Sequence, residues 1–387
     1  MQSIYLDQSA TSFPKAPGVA DAMCHYLTGI GANLNRGGYA AAGEAELTAL
    51  TLRETLCELM GSPDVDACIL TPGATFALNM VLKGALRPGD HVLVSAMEHN
   101  SVMRPLRQLN SVTVEQVPCS LDGSMTVDDL VTRIRPQTRL VCLAHASNVC
   151  GTLLPVAEVG AACRQRKIAF VVDAAQTAGH IPLSLTALNA DALIVPAHKG
   201  LLGPQGIGAA LLRRPFAMAL EPFVTGGTGS RSSSEFQPEE LPDKFEAGTQ
   251  NIPGIYGFAA ALAYVAPRMD AHHRHAMRLC GELLDGASRL PNLRLLGKPS
   301  LEGRMPVVAM DFPTLDNATV ADRLSREYGI ATRCGLHCAP SAHRALGSFP
   351  QGAVRFSIGA FNTEAEIAQT LDALRAIVTD SQPFAQG

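Results

Sequence analysis

Short continuous apolar runs alternate with helical patterns between residues 67 and 213, and this alternation limits the possible folds more than any other feature of the sequence. The apolar runs are ACILT, HVLVS, RLVCLA, IAFVV, DALIV and GIGAALLR, and two of the helical patterns are ATFALNMVLKGAL and VAEVGAACRQRK. Apolarity that continues without alternation is typical of strands buried on both faces. The sequence therefore predicts an α/β fold built on a mainly parallel, mixed sheet.

The length of 387 residues exceeds the range of a single hydrophobic core, so two domains are expected. We expect a large α/β domain over residues 13–255 and a smaller α+β domain formed by residues 1–12 and 256–387. The stretch 225–254 is rich in Gly, Ser, Pro and acidic residues and is typical of a long functional loop. Beyond it lie two strand candidates, VVAMDF and GIATRCG, and a final helix that a capping box of Thr363 and Glu366 would open.

Composition excludes several classes of protein. A net charge of −4, with dispersed Lys and Arg, offers no basic stripe for nucleic acid. The N-terminus lacks the charged and apolar regions of a signal peptide, and no apolar stretch is long enough to span a membrane. The ten cysteines lack paired spacings, which favours reduced thiols and a cytoplasmic location.

A lysine and an aspartate follow two of the predicted strands. Lys199 comes after DALIVPAH, and Asp173 ends the run IAFVVD. A lysine at a strand end can hold an aldehyde cofactor as a Schiff base, and a carboxylate can keep the ring nitrogen of pyridoxal 5'-phosphate (PLP) protonated. Because ligands bind at the carboxyl edge of open α/β sheets, this pair indicates a PLP site.

Five further residues lie after predicted strands or at a helix start. Ala74 and Thr75, in TPGATFALNM, occupy a helix start that attracts phosphate. His99 is suited to lie flat on a pyridine ring and to trade protons near neutral pH. Asn148 and Gln176 could donate to the phenolic oxygen of the coenzyme. Each of these residues could alone be an ordinary loop or capping residue, but their joint occurrence favours the cofactor site.

Here the chain resembles a known family, the class V, fold type I PLP enzymes, and in particular the cysteine desulfurases and selenocysteine lyases of the second group. The matching runs span almost the whole chain: YLDQSATSFPK, NRGGYAAAGEAE, GATFALN, MEHNSV, HASNVCGT, VVDAAQTAGHIPL, AHKGLLGPQGIG, FEAGTQNIPGI, RCGLHCAP and VRFSIGAFNT. The resemblance implies that Lys199 forms the internal aldimine and that His198 and Thr75 bind the phosphate. It also implies that Asp173 pairs with the ring nitrogen and that His99 stacks on the ring. Gln176 and Asn148 would contact the phenolic oxygen and the substrate.

The resemblance also implies a homodimer with shared active sites, in which Thr249 reaches the phosphate of the partner subunit's coenzyme. Arg355, in VRFS, would bind the carboxylate of the amino-acid substrate, a role that suits a planar guanidinium. Its apolar neighbours Val354 and Phe356 favour this role over that of a surface or ion-paired arginine.

The resemblance places the sulfur-accepting thiol at Cys338, in RCGLHCAP. A thiolate there could take the substrate sulfur as a persulfide. His337 and Arg333 could lower the pKa of this thiol. Two other interpretations remain open: a zinc site with Cys334, His337 and His343, which the C-x₃-C spacing fits poorly, and a buried unreactive cysteine. Cys334 itself could be a resolving thiol, although packing is the simpler role.

One position departs from the family pattern. Relatives usually have Ser or Thr three residues before the lysine, where a hydroxyl binds the phosphate, and this chain has Pro196. Either another hydroxyl or backbone group substitutes there, or PLP is held less tightly.

The sequence thus predicts a homodimeric PLP enzyme that converts L-cysteine or L-selenocysteine to L-alanine, with a protein-bound persulfide or released selenide and a possible sulfur-acceptor protein as partner. The alternatives are another class V reaction (C–S β-lyase, epimerase or aminotransferase) and a non-catalytic sulfur carrier or scaffold of the same fold.

Overall fold

The computed structural model describes residues 3–34 and 37–380. Outside this described part lie the terminal residues 1–2 and 381–387, which belong to the expected smaller domain. Asn35 and Arg36, which open the run NRGGYAAAGEAE, also lie outside it.

The strands form three sheets. Their bounds are β1 Ile4–Tyr5, β2 Cys68–Thr71, β3 His91–Ser95, β4 Thr113–Val117, β5 Thr138–Ala144, β6 Ala169–Asp173, β7 Ala192–Pro196, β8 Gly208–Leu212, β9 Arg294–Leu296, β10 Val307–Asp311, β11 Ile330–Ala331, β12 Arg333–Gly335 and β13 Ala353–Ser357.

The helices cover the sheets and include one long N-terminal helix, α2. Their bounds are α1 Val19–His25, α2 Ala40–Leu59, α3 Ala74–Ala85, α4 Asn100–Gln108, α5 Val127–Val131, α6 Val156–Arg166, α7 Arg214–Ala219, α8 Ile252–Val265, α9 Met269–Ser288, α10 Asn317–Tyr328, α11 Pro340–Ala345 and α12 Glu364–Asp380. A π-helical segment, Tyr26–Ile30, follows α1, and a 3-10 turn, Ala266–Arg268, precedes α9.

The largest sheet has seven strands in the order β2-β8-β7-β6-β5-β3-β4. Neighbouring strands from β7 to β4 are parallel, and β8 runs antiparallel to both of its neighbours. Every residue of β3, β7 and β8 is buried, as expected for strands covered by helices on both faces. The parallel strands bring their carboxyl ends to one edge, and that edge carries the polar residues predicted for the site.

A second, four-stranded sheet has the order β12-β13-β10-β9 and is antiparallel throughout. Its apolar face packs with α9, α10 and α12 in a core that also contains Ile4 and Leu6 from the N-terminus. β1 pairs with β11, which joins the N-terminal segment to this part of the chain. This arrangement places Arg355, on β13, next to the N-terminal segment.

The α/β fold with a mainly parallel, mixed large sheet is confirmed. The candidate GIATRCG forms two short strands, β11 and β12, rather than one, and the capping box of Thr363 and Glu366 is present. The division at residues 12 and 255 stays a prediction: α8 crosses that position and packs on α1 and α2. Within residues 3–34 and 37–380, no helix is long and apolar enough to cross a membrane.

Candidate active site

A cavity of about 650 Å³ lies at the carboxyl ends of β5, β6 and β7. Eight of the predicted site residues line it together: Ala74, Thr75, His99, Asn148, Asp173, Gln176, His198 and Lys199. They come from the ends of strands and from the start of α3, so the topology of the large sheet brings them together. Thr249, Cys338 and Arg355 do not line this cavity.

Lys199 and Asp173 form the charged centre of the cavity. Asp173 is the last residue of β6, and its Oδ1 accepts a hydrogen bond from the Ala175 N–H at 2.9 Å. Burial lowers the pKa of Lys199 to about 8, an effect that the Arg355 and Arg333 charges strengthen and the Asp173 carboxylate opposes. Burial also raises the pKa of Asp173, against the Ala175 N–H and Lys199. In both cases burial disfavours the charged form, so each group is stabilised in its charged form by a partner of opposite charge.

His99 caps α4 through its ring. Its Nδ1 accepts from the Ser101 backbone N–H at 3.0 Å and lies 2.8 Å from the Ser101 hydroxyl. In the neutral ring, the proton must then be on Nε2. Burial, together with the cations Lys199 and Arg333, lowers the pKa of His99 to about 4. This differs from the expectation that His99 trades protons near neutral pH: in these surroundings the ring is a neutral hydrogen-bond donor.

Asn148 and Gln176 are already partly engaged by the protein. The Asn148 amide nitrogen donates to the His337 carbonyl oxygen at 2.8 Å, while its buried Oδ1 has no partner in the described part of the chain. The Gln176 amide nitrogen donates to the Ser9 carbonyl oxygen at 3.3 Å. Each amide nitrogen carries two N–H groups, so each keeps one for a ligand. Asn148 also ties the cavity to the segment that carries Cys338.

The start of α3 and His198 give the cavity the features of an anion site. Gly73 precedes α3 with a φ of 145°, and no side chain caps the first N–H groups of this helix. Ala74 and Thr75 present these N–H groups to the cavity. The buried His198 Nδ1 has no partner among the described residues. Pro196 lines the same cavity, at the end of β7, and contributes neither a hydroxyl nor an N–H there.

Cys338 lies beside the cavity, in a turn tied to it by two hydrogen bonds. The Asn100 N–H donates to the Cys338 carbonyl oxygen at 2.7 Å, next to His99, and Asn148 holds the preceding carbonyl. His337 and Cys338 both have left-handed backbones, with φ of 51° and 57°. The Cys338 side chain is half-buried.

The two residues proposed to act on the Cys338 thiol differ in their positions. Arg333 Nη2 lies 3.5 Å from Cys338 Sγ. The His337 ring instead lies 3.2 Å from the His343 ring and 3.1 Å from the Arg333 carbonyl oxygen. Because burial and Arg355 lower the pKa of His337, its ring is neutral and supplies no positive charge. Arg333 is therefore the cation that faces the thiol.

Arg355 corrects one sequence-based expectation. Its apolar neighbours favoured an arginine without an acidic partner, but its Nη2 forms an ion pair with Asp7 Oδ1 at 2.6 Å. The arginine does point inward as expected, with a side chain that is 1% exposed. Burial is the main cause that lowers its pKa, and Asp7 opposes this effect. Sequence spacing could not reveal the pair, because the two residues are 348 positions apart.

Thr249 is exposed and lies in the loop before α8. The loop is anchored by Glu246, whose carboxylate binds the buried Arg53 guanidinium through two hydrogen bonds of 2.7 Å. Thr249 is thus held at the surface of its own chain, away from its own cavity. Its expected role toward a partner subunit stays a prediction.

Several cavity residues were not found from the sequence. They supply hydroxyl, amide and aromatic groups: Ser101, Asn79, Gln205, Phe76 and Phe223. The helical period of α3 could have found Phe76 and Asn79, which lie on its first turns beside Thr75. Gln205 and Phe223 lie in loops and carry no such signal.

The fold and the site define the class of protein, and comparisons with known proteins agree. The family model for Aminotransferase class-V matches residues 4–370, and the chain belongs to this family. A cysteine desulfurase IscS of Vibrio campbellii is 32% identical, over 97% of this chain and 93% of that protein. A probable cysteine desulfurase of Methanothermobacter thermautotrophicus is also 32% identical, over 94% and 92%. The apo structure of the cysteine desulfurase from Thermococcus onnurineus superposes with a TM-score of 0.92, at 29% identity, over 98% of this chain and 95% of that one.

The cavity residues fit the chemical groups of PLP. The uncapped N–H groups of α3 and the unpartnered His198 Nδ1 suit a phosphate, and Asp173 suits a protonated ring nitrogen. A buried polar atom without a partner is costly unless a ligand satisfies it. The unpartnered Asn148 Oδ1 is a second such atom in the same cavity.

Proposed function

We propose that this chain is a PLP-dependent cysteine desulfurase that converts L-cysteine, or L-selenocysteine, to L-alanine and transfers the sulfur to Cys338. The observation that carries the proposal is a single cavity lined by Lys199 and Asp173, with the Cys338 turn hydrogen-bonded to its rim. The names of the relatives support the same activity.

Lys199 would carry the coenzyme, and Asp173 would hold its ring nitrogen. The N–H groups of α3, with Thr75 and His198, would bind the phosphate. When bound, PLP supplies an electron sink that weakens bonds to the substrate Cα and polarises the Cβ–S bond. The protein supplies orientation and charge: the buried Asp173 carboxylate favours a cationic ring.

Lys199 would also move the proton at the substrate Cα. Its lowered pKa, about 8, puts a usable fraction of neutral amine within reach near neutral pH. His99, neutral and held by Ser101, would keep the coenzyme plane in place and donate from Nε2. Arg355 would bind the substrate α-carboxylate and so fix the direction of the Cα–H bond.

Cys338 would take the sulfur. Its thiolate would form an S–S bond with the substrate sulfur as the Cβ–S bond breaks, and the electron pair left on Cβ would be protonated to give alanine. Arg333 Nη2, 3.5 Å from the sulfur, is placed to contact the thiol and the persulfide.

We further propose that the enzyme is a homodimer in which Thr249 contacts the partner subunit's coenzyme phosphate. The exposed position of Thr249 and its absence from its own cavity support this assignment. A sulfur-acceptor protein would then remove the persulfide sulfur. All ten cysteines are free thiols, which suits a reducing compartment such as the cytoplasm.

The test is a product assay on purified protein with PLP. L-alanine and sulfide are measured with and without reductant, on L-cysteine and L-selenocysteine, together with the absorbance of the bound coenzyme. We expect equimolar alanine and sulfur, and no activity in a Lys199→Ala variant. A protein that fails to take up PLP, or a Lys199→Ala variant with full turnover, would overturn the proposal.

A further inference from the structure

Three buried polar side chains form a hydrogen-bonded network next to the Cys338 turn. Ser348 Oγ lies 2.7 Å from His343 Nδ1. His343 Nε2 lies 3.2 Å from His337 Nδ1, and His337 Nε2 lies 3.1 Å from the Arg333 carbonyl oxygen. We call these groups the His343 network. Ser348, His343 and His337 are 3%, 0% and 2% exposed, so water does not compete for these hydrogen bonds.

The carbonyl at the end of the His343 network sets the direction of every hydrogen bond in it. A carbonyl oxygen can only accept, so the proton of the neutral His337 ring is on Nε2, and Nδ1 must accept. His343 Nε2 therefore donates to His337, and His343 Nδ1 accepts from the Ser348 hydroxyl. Burial keeps both rings neutral, because it lowers the pKa of His337 to about 2 and the pKa of His343 to about 4. Arg355 strengthens this effect at His337, and Asp311 opposes it at His343.

The His337 ring closes the turn that leads from Arg333 to Cys338. Its Nε2–H binds the Arg333 carbonyl, while Nη2 of the same arginine lies 3.5 Å from Cys338 Sγ. The backbones of His337 and Cys338 are left-handed, with φ of 51° and 57°, a conformation that residues other than glycine rarely adopt. Such a backbone persists only where the surrounding contacts hold it. The ring of His337 makes one of these contacts, and the bond from Asn148 to the His337 carbonyl is another.

We propose that His343 is a positioning residue for sulfur transfer: by setting the tautomer of His337, it holds the turn that presents Cys338. The inference rests on the proposed function, in which Cys338 takes the substrate sulfur. Without the His343 donor, the proton of His337 can move to Nδ1, and Nε2 then faces the Arg333 carbonyl as a second acceptor. Two acceptors in contact repel each other, so the turn would open at this point and the thiol would lose its fixed position.

The first test measures the tautomer of His337 directly, in protein without PLP. Nitrogen NMR of isotope-labelled histidines distinguishes a ring protonated on Nε2 from a ring protonated on Nδ1, and a His337→Gln variant identifies the signals of His337. We expect the Nε2–H form in the wild type and a mixture of both forms in His343→Leu. His343→Gln places an amide N–H donor where His343 Nε2 lies, and this variant should keep the Nε2–H form.

The second test compares L-cysteine with L-selenocysteine as substrates of the PLP-loaded protein. In His343→Leu, kcat for L-cysteine and the persulfide found on Cys338 should fall by about tenfold or more, because the thiol is misplaced. The KM for L-cysteine and the turnover of L-selenocysteine should stay within about twofold, since His343 does not line the cavity. His343→Gln should restore most of kcat for L-cysteine.

The matched control is His91→Leu. The His91 ring is also buried, at 2% exposed, and its Nδ1 lies 2.8 Å from the Thr138 hydroxyl. His91 is the first residue of β3, at the edge of the large sheet opposite the cavity. Its replacement removes the same kind of side chain and should leave the ratio of the two kcat values unchanged.

Two results would overturn the inference. One is a His337 ring that stays entirely in the Nε2–H form in His343→Leu, and the other is an equal fall of kcat for both substrates, because His343 would then only stabilise the fold. If His343→Leu folds poorly, Ser348→Ala replaces it: loss of the hydroxyl that donates to His343 Nδ1 should shift the tautomer and kcat in the same direction.

Failure of the proposed function gives a different pattern. The wild-type protein would then form no persulfide on Cys338, although the tautomer of His337 would still change in His343→Leu. That result would remove the role of His343 in sulfur transfer and leave only its effect on the turn.

Discussion

Arg333 Nη2 lies 3.5 Å from the sulfur of Cys338, across a turn whose backbone at His337 and Cys338 is left-handed. The Asn148 amide donates to the His337 carbonyl oxygen and the Asn100 N–H donates to the Cys338 carbonyl oxygen, so the thiol is presented next to the cavity rather than inside it. In the proposed function, a nucleophile in this position would approach the substrate sulfur without displacing the residues proposed to hold the coenzyme.

Replacement of Cys338 by alanine should abolish persulfide formation from L-cysteine, because the atom that accepts the sulfur is removed. Turnover of L-selenocysteine should fall less, since selenium leaves more readily. Mass spectrometry of the protein after one turnover detects the added sulfur. Cys334→Ala is the matched control: this half-buried thiol of the same segment should be dispensable. Persulfide on the Cys338→Ala protein, or alanine formed from L-cysteine at the wild-type rate, would contradict the assignment.

Replacement of Asp173 by asparagine should preserve the shape of the cavity and remove the negative charge of the carboxylate. A cationic ring would no longer be favoured, and kcat for L-cysteine should fall by about 10²-fold or more. Absorbance titration of the apo-protein with PLP should show weaker binding as well. Asp191→Asn serves as the control, because Asp191 is also partly buried and its Oδ2 caps the Phe170 N–H, away from the cavity. Unchanged affinity and unchanged kcat together would disprove the role of Asp173.

Six of the seven strands of the large sheet were predicted, because a continuous apolar run is typical of a strand buried on both faces. The edge strand β4, with the sequence TVEQV, is mostly not buried and has no such run, so it was not predicted. The residues at the strand ends followed from the same pattern: Asp173, Asn148 and Lys199 each lie just beyond such a run, and the parallel topology brings them to one cavity. The position of each polar residue relative to the nearest apolar run in the sequence was therefore sufficient to predict this part of the site.

The contacts across distant segments were not predictable. The pairing of Asp7 with Arg355 depends on the parallel bridge between Asp7 and Ser357, which joins the N-terminal segment to β13 and which no local periodicity encodes. The neutral state of His99 likewise depends on the burial of its ring and on the nearby Lys199 and Arg333 charges. For the same reason, the sequence left open which way Arg333 and His337 point.

Replacement of Glu98 by glutamine tests a buried acid beside the site. Glu98 is fully buried; its carboxylate accepts from Ser95 Oγ and from the Ala144 N–H. Burial raises the pKa of Glu98 from 4.5 to about 8, so the folded protein favours the protonated form. Its contribution to stability is therefore present at low pH and is lost as pH rises through this range, by up to about 1.4 kcal/mol per pH unit.

Glutamine cannot ionise, so the Glu98→Gln protein should gain stability relative to wild type as pH rises from 6 to 8. Thermal unfolding of both proteins at matched pH values measures this difference. The exposed Glu158→Gln variant is the matched control. A difference for Glu98→Gln that is constant or that shrinks with rising pH would show that Glu98 is ionised in the folded state.

Replacement of Arg53 by alanine tests the buried ion pair that anchors the Thr249 loop. The Arg53 and Glu246 side chains are 9% and 7% exposed, and the carboxylate also accepts from the Leu70 N–H at 2.6 Å. Removing the arginine leaves a buried, uncompensated carboxylate, which should cost about 3–5 kcal/mol in the free energy of unfolding. Denaturant titration measures this loss.

The exposed pair of Arg375 and Asp372 provides the comparison, and Arg375→Ala should cost less than about 1 kcal/mol. In an Arg53→Met and Glu246→Leu double variant the uncompensated charge is absent, so the loss should be smaller than for Arg53→Ala alone. If Arg53→Ala costs no more than Arg375→Ala, the pair does not anchor the loop. In the proposed dimer, Arg53→Ala should also weaken PLP binding, since Thr249 lies three residues beyond Glu246 and its position depends on that anchor.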